Sequence, residues 1–319
     1  MIGPPCLTIV GKEPHAGFDP FPAGFVVPIR DFFLIFLVCV SWAFNFIAAA
    51  KGMQHFSPYV FMVLRFLIVL LFLARFLRWP PRDQWGTMIF VCLCTGALHF
   101  GILFWALGHS QDVASIVITQ QTYIPMAVII AVIALGERVG WRSLLAIAVA
   151  FSGVLILSFD PLILTQWHVL GLALSSALFQ ALGSVFTRSI RGVGVFSFQA
   201  WTAVISLPPM LLASLVMDTG QWQMVQTADW LDWGCVIYSA IVASIVGHSL
   251  FFVLVQRHPV SAIMPYLLMT PLLGVIFGVL VWGDRPGIRL LIGGALVLVG
   301  ILVVTLRARQ RSLGRGAAG

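Results

Sequence analysis

One arginine, two histidines and a small set of amides and phenols lie inside stretches that are otherwise apolar, and these are the residues with chemistry to offer. Arg65 is flanked by Leu64, Phe66 and Leu67. A charge at the centre of a bilayer costs about 2.5–3.5 kcal/mol on insertion scales, so an ionisable group in such a run usually faces a bundle interior or a water-filled cavity. Arg65 therefore reads as an anchor for a substrate carboxylate, or else as a structural arginine that snorkels or bonds backbone carbonyls. His99 and His248 are candidate proton carriers; the alternative is a neutral imidazole bonded to a neighbouring helix. Asn45, Gln120, Gln121, Tyr123, Gln180 and Tyr266 offer neutral hydrogen bonds to a polar solute, and interhelical bonding worth about 0.6 kcal/mol per pair is the competing use.

The spacing of these groups favours a cavity. Thr119–Gln120–Gln121–Thr122–Tyr123 precedes Pro125, while Pro265–Tyr266 and Thr270–Pro271 interrupt a second apolar run. Proline leaves a carbonyl unpaired, and broken backbone is tolerated where it lines a cavity or is bonded again by neighbours. Trp42, Trp105 and Trp201 either shape an aromatic cavity or form an interfacial belt. Glu137 and Asp284 sit beside Arg138 and Arg285 at helix ends, which predicts solvated ion pairs or helix caps. No Walker loop, dinucleotide fingerprint, zinc motif or Ser-His-Asp arrangement occurs, so no ATP use, cofactor or metal is expected.

Composition dictates what must hold these residues. Of 319 residues, 60% are hydrophobic and 9% charged, against about 25% charged in a soluble domain. There is too little polar surface to cover a water-soluble globule, so the missing partner is lipid. The net charge of +7 is spread singly between apolar runs instead of clustered for phosphate, which argues against nucleic acid. Four of five cysteines, Cys39, Cys92, Cys94 and Cys235, lie within apolar stretches; with Cys6 they form no disulfide framework.

Ten apolar runs near twenty residues can be drawn, the length a helix needs to cross about 30 Å of hydrocarbon. They cover 32–50, 58–77, 85–108, 113–135, 141–157, 167–186, 196–216, 231–255, 262–282 and 288–306. The runs are apolar on both parities, which favours helices over barrel strands. Residues 1–29 hold six prolines and read as a mobile tail without the features of a cleaved signal, so the first span should stay in the mature protein. Residues 307–319 form a basic tail. With both termini inside, 14 of the 18 Lys and Arg fall on inner segments and three outside, with Arg65 in a span; the bias predicts cytoplasmic termini.

An offset of 147 residues superposes Gly136–Glu137–Arg138 on Gly283–Asp284–Arg285, Gly140 on Gly287, Arg142 on Arg289 and Gly153 on Gly300. Phe104, Val113, Ile116 and Val128 then fall on Phe251, Val260, Ile263 and Val275. This is a duplication of five helices, 30–158 and 165–306. Because five is odd, the second copy enters the membrane upside down, and in such folds the substrate site lies near the midplane between the halves. Asn45 and Gln180, in the opening helices of the two halves, should both face that centre. Gly274 and Gly278 match a small-xxx-small spacing, a signal for a homodimer.

With these features in place, the chain resembles an EamA-type member of the drug/metabolite transporter superfamily. The resemblance covers 32–306 and is carried by Trp42–Ala43–Phe44–Asn45–Phe46, Leu64–Arg65–Phe66, the two acidic turns, and Ser176–Ala177–Leu178–Phe179–Gln180–Ala181–Leu182–Gly183. The stretch from Trp201 through Pro208 to Asp218 is most similar to the branch that exports O-acetylserine and cysteine. Ala43 stands where the family usually has Gly, and Asp284 where Glu is commoner. The resemblance implies an all-α membrane protein of ten transmembrane helices in two inverted EamA repeats, a bacterial inner-membrane location and export of small metabolites. The expectation is a secondary exporter of amino-acid-like metabolites working by alternating access, and not an enzyme. The alternatives are an exporter of hydrophobic drugs or cations and, from a different class, a membrane-embedded enzyme or scaffold.

Overall fold

The computed structural model describes residues 27–109, 119–137, 139–158, 167–282, 288, 292–303 and 306. Every regular element among them is helical. In chain order these are α1 (Ile29–Gly52), α2 (Pro58–Leu73), α3 (Trp85–Cys92), α4 (His99–His109), α5 (Tyr123–Leu135), α6 (Trp141–Ser158), α7 (Trp167–Thr187), α8 (Val195–Met217), α9 (Gln221–Thr227), α10 (Trp230–Tyr238), α11 (Ser249–Arg257), α12 (Val260–Leu267), α13 (Met269–Trp282) and α14 (Ile292–Val303). A π-helical segment, Leu93–Leu98, fuses α3 to α4, and a longer one, Ser239–His248, fuses α10 to α11.

Seven stretches among the described residues are long and apolar enough to cross a membrane: Ile29–Gly52, Pro58–Phe76, Arg82–Ala106, Trp167–Thr187, Val195–Met217, Trp230–Arg257 and Val260–Gly278. Three shorter apolar helices, Tyr123–Leu135, Trp141–Ile156 and Ile292–Val303, fall where the fourth, fifth and tenth spans are expected. Val113 at the start of the fourth span, Arg138, the Gly283–Asp284–Arg285 turn, and residues 1–26 and 307–319 lie outside the described residues. The most exposed side chains include Leu71, Ile133, Val216 and Leu280, a surface that suits hydrocarbon and not water.

Local signals set the helix ends. Pro58 opens α2 at a position whose N–H has no helical partner to lose. Gly136 ends α5 with φ +67°, a left-handed conformation that a side chain would strain. Asp229 starts α10 with a reciprocal cap: its carboxylate accepts from the Asp232 N–H, and Asp232 accepts from the Asp229 N–H. That backbone donor holds the Asp229 carboxyl below the usual range.

The two halves are inverted. Asp31 at the start of α1 and Arg188 just past the end of α7 both meet His258, so the opening helices of the two halves run in opposite directions. Packing follows the same symmetry. α1 lies along the π segment Ser239–His248 and along α13, while its counterpart α7 lies along α4 and α5; α2 packs on its own counterpart α8. The π segments also correspond through the 147-residue offset, as do the break at Gln121–Thr122 and the turn at Leu268. Repeat mates Gly153 and Gly300 make the symmetric contact between α6 and α14: a Cβ on Gly153 would meet the Gly293 carbonyl at 2.5 Å, and one on Gly300 would meet Ala150 at 2.5 Å. Gly153→Val is expected to cost about 1–3 kcal/mol, the penalty of overpacking a filled interface, and to lower the thermal midpoint in detergent. Gly171→Ala, with nothing within 4 Å of the added carbon, is expected to leave that midpoint in place. Gly274 faces Ala43 and Phe46 of α1 within the same chain.

The end of the bundle that carries Arg75, Arg78, Arg188, Arg191 and Arg257 is closed by a buried network across the halves. Glu137, just past α5, accepts from the Val260 and Ser261 N–H groups at the start of α12, both at 2.9 Å, and lies 3.4 Å from Arg188. Arg188 also donates to the His258 carbonyl at 2.6 Å. Asp31 meets His258 Nε2 at 2.6 Å and Arg257 at 3.4 Å. Of the two expectations for Glu137, a solvated ion pair or a helix cap, the structure shows a cap; Arg138 lies outside the described residues. The carboxylate is buried, caps a helix of the other half, and pairs with Arg188. The unfilled N–H groups at the start of α12 are a strong draw for a carboxylate.

Candidate functional site

The centre of the bundle is organised by Arg65. It sits two turns into α2, on the face that buries Met62, Phe66 and Val69, and is 3% exposed. Its Nε donates to Ser244 Oγ at 2.6 Å, and Ser244 in turn donates to the Ser239 carbonyl at 2.9 Å, within the wide turn of the π segment. The guanidinium lies 4.8 Å above the Phe100 ring, and Nη1 approaches Met62 Sδ at 3.9 Å. Among the described residues no carboxylate pairs with it. A buried cation with one hydroxyl, one thioether and one ring for company retains donors without acceptors.

Two adjoining cavities meet at this side chain. The larger, about 100 Å³, is lined by Asn45, Arg65, His99, Gln120, Gln121, Tyr123, Gln180 and His248, together with Trp42, Phe46, Phe100, Leu103, Ala243 and Thr270. The smaller, about 40 Å³, extends toward the arginine-rich end between Arg65, Thr95, Gln180, Thr187, Gln199 and Thr202, with walls from Phe198, Phe251 and Phe252. Arg65, Phe100, Gln180 and His248 belong to both. Their lining draws on α1, α2, α4, α5, α7, α8, α11 and α13, helices of both halves.

Eight of the nine expected site residues line the larger cavity; Tyr266 does not. It is 2% exposed and stands edge-on to Phe32, with ring centroids 5.7 Å apart, in the core around α1 and α12. Its neighbour across the helix break, Thr270, faces the cavity instead. Of the three tryptophans, Trp42 reaches the cavity, Trp105 is exposed, and Trp201 packs with Trp79 and Trp85 at the arginine-rich end. Ser244, Ser176 and the second cavity were not legible, because a serine or threonine in an apolar helix carries no periodic signal of which side it faces.

The two histidines are held differently. His99 Nδ1 lies 2.9 Å from Ser176 Oγ and 3.3 Å from Gln120 Nε2, and Ser176 Oγ donates to the His99 carbonyl. His248 Nδ1 lies 2.8 Å from the Ala243 carbonyl. A carbonyl only accepts, so Nδ1 carries the proton there and Nε2 is the acceptor of the neutral ring. Trp42 Nε1 donates to the same carbonyl at 3.2 Å and its ring lies 4.9 Å from the imidazole. The π segment supplies both Ala243 and Ser244, and so positions His248 and Arg65 together.

The EamA-like transporter family matches residues 30–159 and 167–306, once in each half. A protein of Escherichia coli (strain K12) named "Probable amino-acid metabolite efflux pump" is 29% identical over 294 residues, covering 88% of this chain and 97% of its own length. A "Probable terminal-alkyne amino-acid exporter" of Streptantibioticus cattleyicolor is 24% identical over 88% of this chain and 93% of its own. A solved crystal structure with 17% identity covers 89% of this chain and 99% of that one at a TM-score of 0.74, and so shares the fold.

Proposed function

The chain belongs to the EamA-like transporter family, and from that membership we propose that it is a secondary exporter of small amino-acid-like metabolites whose substrate binds beside Arg65. The observation that carries this reading is a buried guanidinium without a carboxylate partner among the described residues, at the junction of two cavities between inverted halves. A substrate carboxylate supplies the missing counter-charge, and charge-assisted hydrogen bonds of this type are about twice as strong as neutral ones. The cavity is small beside the roughly 300–1,000 Å³ of drug-binding pockets, and among the described residues no Asp or Glu lines it; both features speak for a small anionic group over a bulky cation. Relatives named for amino-acid export support the same class.

In this reading ten spans form two five-helix repeats, both termini face the cytoplasm, and the arginine-rich end is the cytoplasmic end, as the positive-inside bias favours. The protein resides in a bacterial inner membrane and is nearest in substrate to the O-acetylserine and cysteine branch. Access alternates as the halves rock about the Arg65 site. The network of Glu137, Arg188, Asp31 and His258 links the halves at the cytoplasmic end and must part for a substrate to enter there. His99 and His248 are the groups available to carry a coupled proton.

The test is counterflow in proteoliposomes. Vesicles preloaded with unlabelled L-alanine, L-cysteine or O-acetyl-L-serine should accumulate the labelled compound only when they contain the protein. Absence of protein-dependent exchange for all three overturns the reading.

A further inference from the structure

We propose that the Arg65 cavity takes its substrate as a zwitterion, with the carboxylate on the guanidinium and the ammonium group held by the side-chain carbonyl oxygens of Asn45, Gln120 and Gln180. The inference rests on the exporter reading and deepens it. Asn45 Oδ1, Gln120 Oε1 and Gln180 Oε1 are each buried without a hydrogen-bond partner. They come from α1, the short turn before α5, and α7, yet all three residues line one cavity of about 100 Å³. A buried acceptor left unmet carries its full desolvation penalty, and native interiors hold few such atoms. Three beside a guanidinium that no carboxylate among the described residues neutralises are a concentration of unmet capacity of two opposite kinds.

The chemistry of the two kinds selects the ligand. An ammonium group carries three donors and no acceptor, and a terminal amide can turn about its last bond to present its oxygen. A lone cation is repelled, because Arg65 faces the cavity and no Asp or Glu among the described residues lines it. A carboxylate without an amine satisfies Arg65 but leaves the three oxygens unmet. Only a ligand bearing both charges on neighbouring atoms answers both requirements.

The experiment is competition against counterflow of labelled L-alanine, by L-alanine, propionate and ethylamine, and of labelled L-cysteine, by L-cysteine, 3-mercaptopropionate and cysteamine. The amino acid is expected to compete at least about tenfold better than either analogue, the value of one charge-assisted bond. Gln180→Met and Asn45→Leu are expected to narrow the gap between the amino acid and its amine-free analogue by at least about threefold while leaving inhibition by that analogue unchanged. The wild-type comparison needs no variant and stands if either variant fails to fold. Equal competition by the amine-free acid overturns the zwitterion proposal while leaving the exporter reading intact. Absence of exchange for L-alanine, L-cysteine and O-acetyl-L-serine alike removes the exporter reading and this proposal with it.

Discussion

Arg65→Gln is expected to cut exchange of small amino acids by about 10- to 150-fold while leaving the folded yield and thermal midpoint at or above the wild-type values. The first half of the expectation follows from the bound state, where the guanidinium gives a carboxylate hydrogen bonds worth about 1.5–3 kcal/mol. The second half follows from the empty state. Arg65 has no carboxylate partner among the described residues and makes one 2.6 Å bond, to Ser244, so replacing it removes a poorly compensated buried charge and not a structural tie. A purely structural arginine gives the opposite pattern, with stability lost and activity falling only in proportion to folded protein. Arg65→Lys keeps the charge but not the planar fork, and is expected to fall between wild type and Gln. Counterflow rates and melting curves on the same preparations check both halves.

The second large effect lies at the arginine-rich end. Glu137→Ala removes the acceptor of two buried N–H groups and of Arg188. Breaking a buried ion pair by deleting one partner costs about 3–5 kcal/mol. Because Glu137 belongs to the first half, and Val260, Ser261 and Arg188 to the second, that cost falls on the contact between halves. A bias of this size shifts a two-state equilibrium by more than a hundredfold. A cysteine at Gln199, in the cavity nearer that end, is expected to react with a water-soluble thiol reagent at least tenfold faster in the Glu137→Ala background. The double variant with Arg188→Ala is expected to lose less than the sum of the two, as coupled partners do. An unchanged labelling rate means that the network does not close this end.

Much of the site was legible because polar atoms in lipid are expensive. Arg65, His99, Gln120 and Gln180 stand out against leucines and valines, and an inverted duplication points to the place where the halves meet. The same logic fails for Tyr266, whose matched helix break predicts a cavity wall. The break does reach the cavity, but through Thr270, and the phenol turns into the core beside Phe32. Sequence places a residue on a helix and does not fix its azimuth when both faces are apolar. Glu137 is a helix cap, as expected, but on a helix that the sequence did not identify. Its partners, Arg188 and the start of α12, lie 51 and 123 residues away, and only packing of the inverted halves brings them together. The π segments were invisible as well, because their sequences, such as Ser239–His248, contain nothing that an ordinary apolar helix avoids.

Transport of this kind turns on a single site reached from one end at a time, and paired cysteine accessibility tests that most directly. Leu103→Cys reports the larger cavity and Gln199→Cys the smaller, each in a background without the native cysteines. Labelling with a membrane-impermeant thiol reagent is monitored with and without saturating L-alanine. Alternating access about Arg65 predicts that L-alanine moves the two labelling rates in opposite directions, and that Arg65→Gln abolishes both responses. Rates that rise or fall together, or that ignore L-alanine, contradict it.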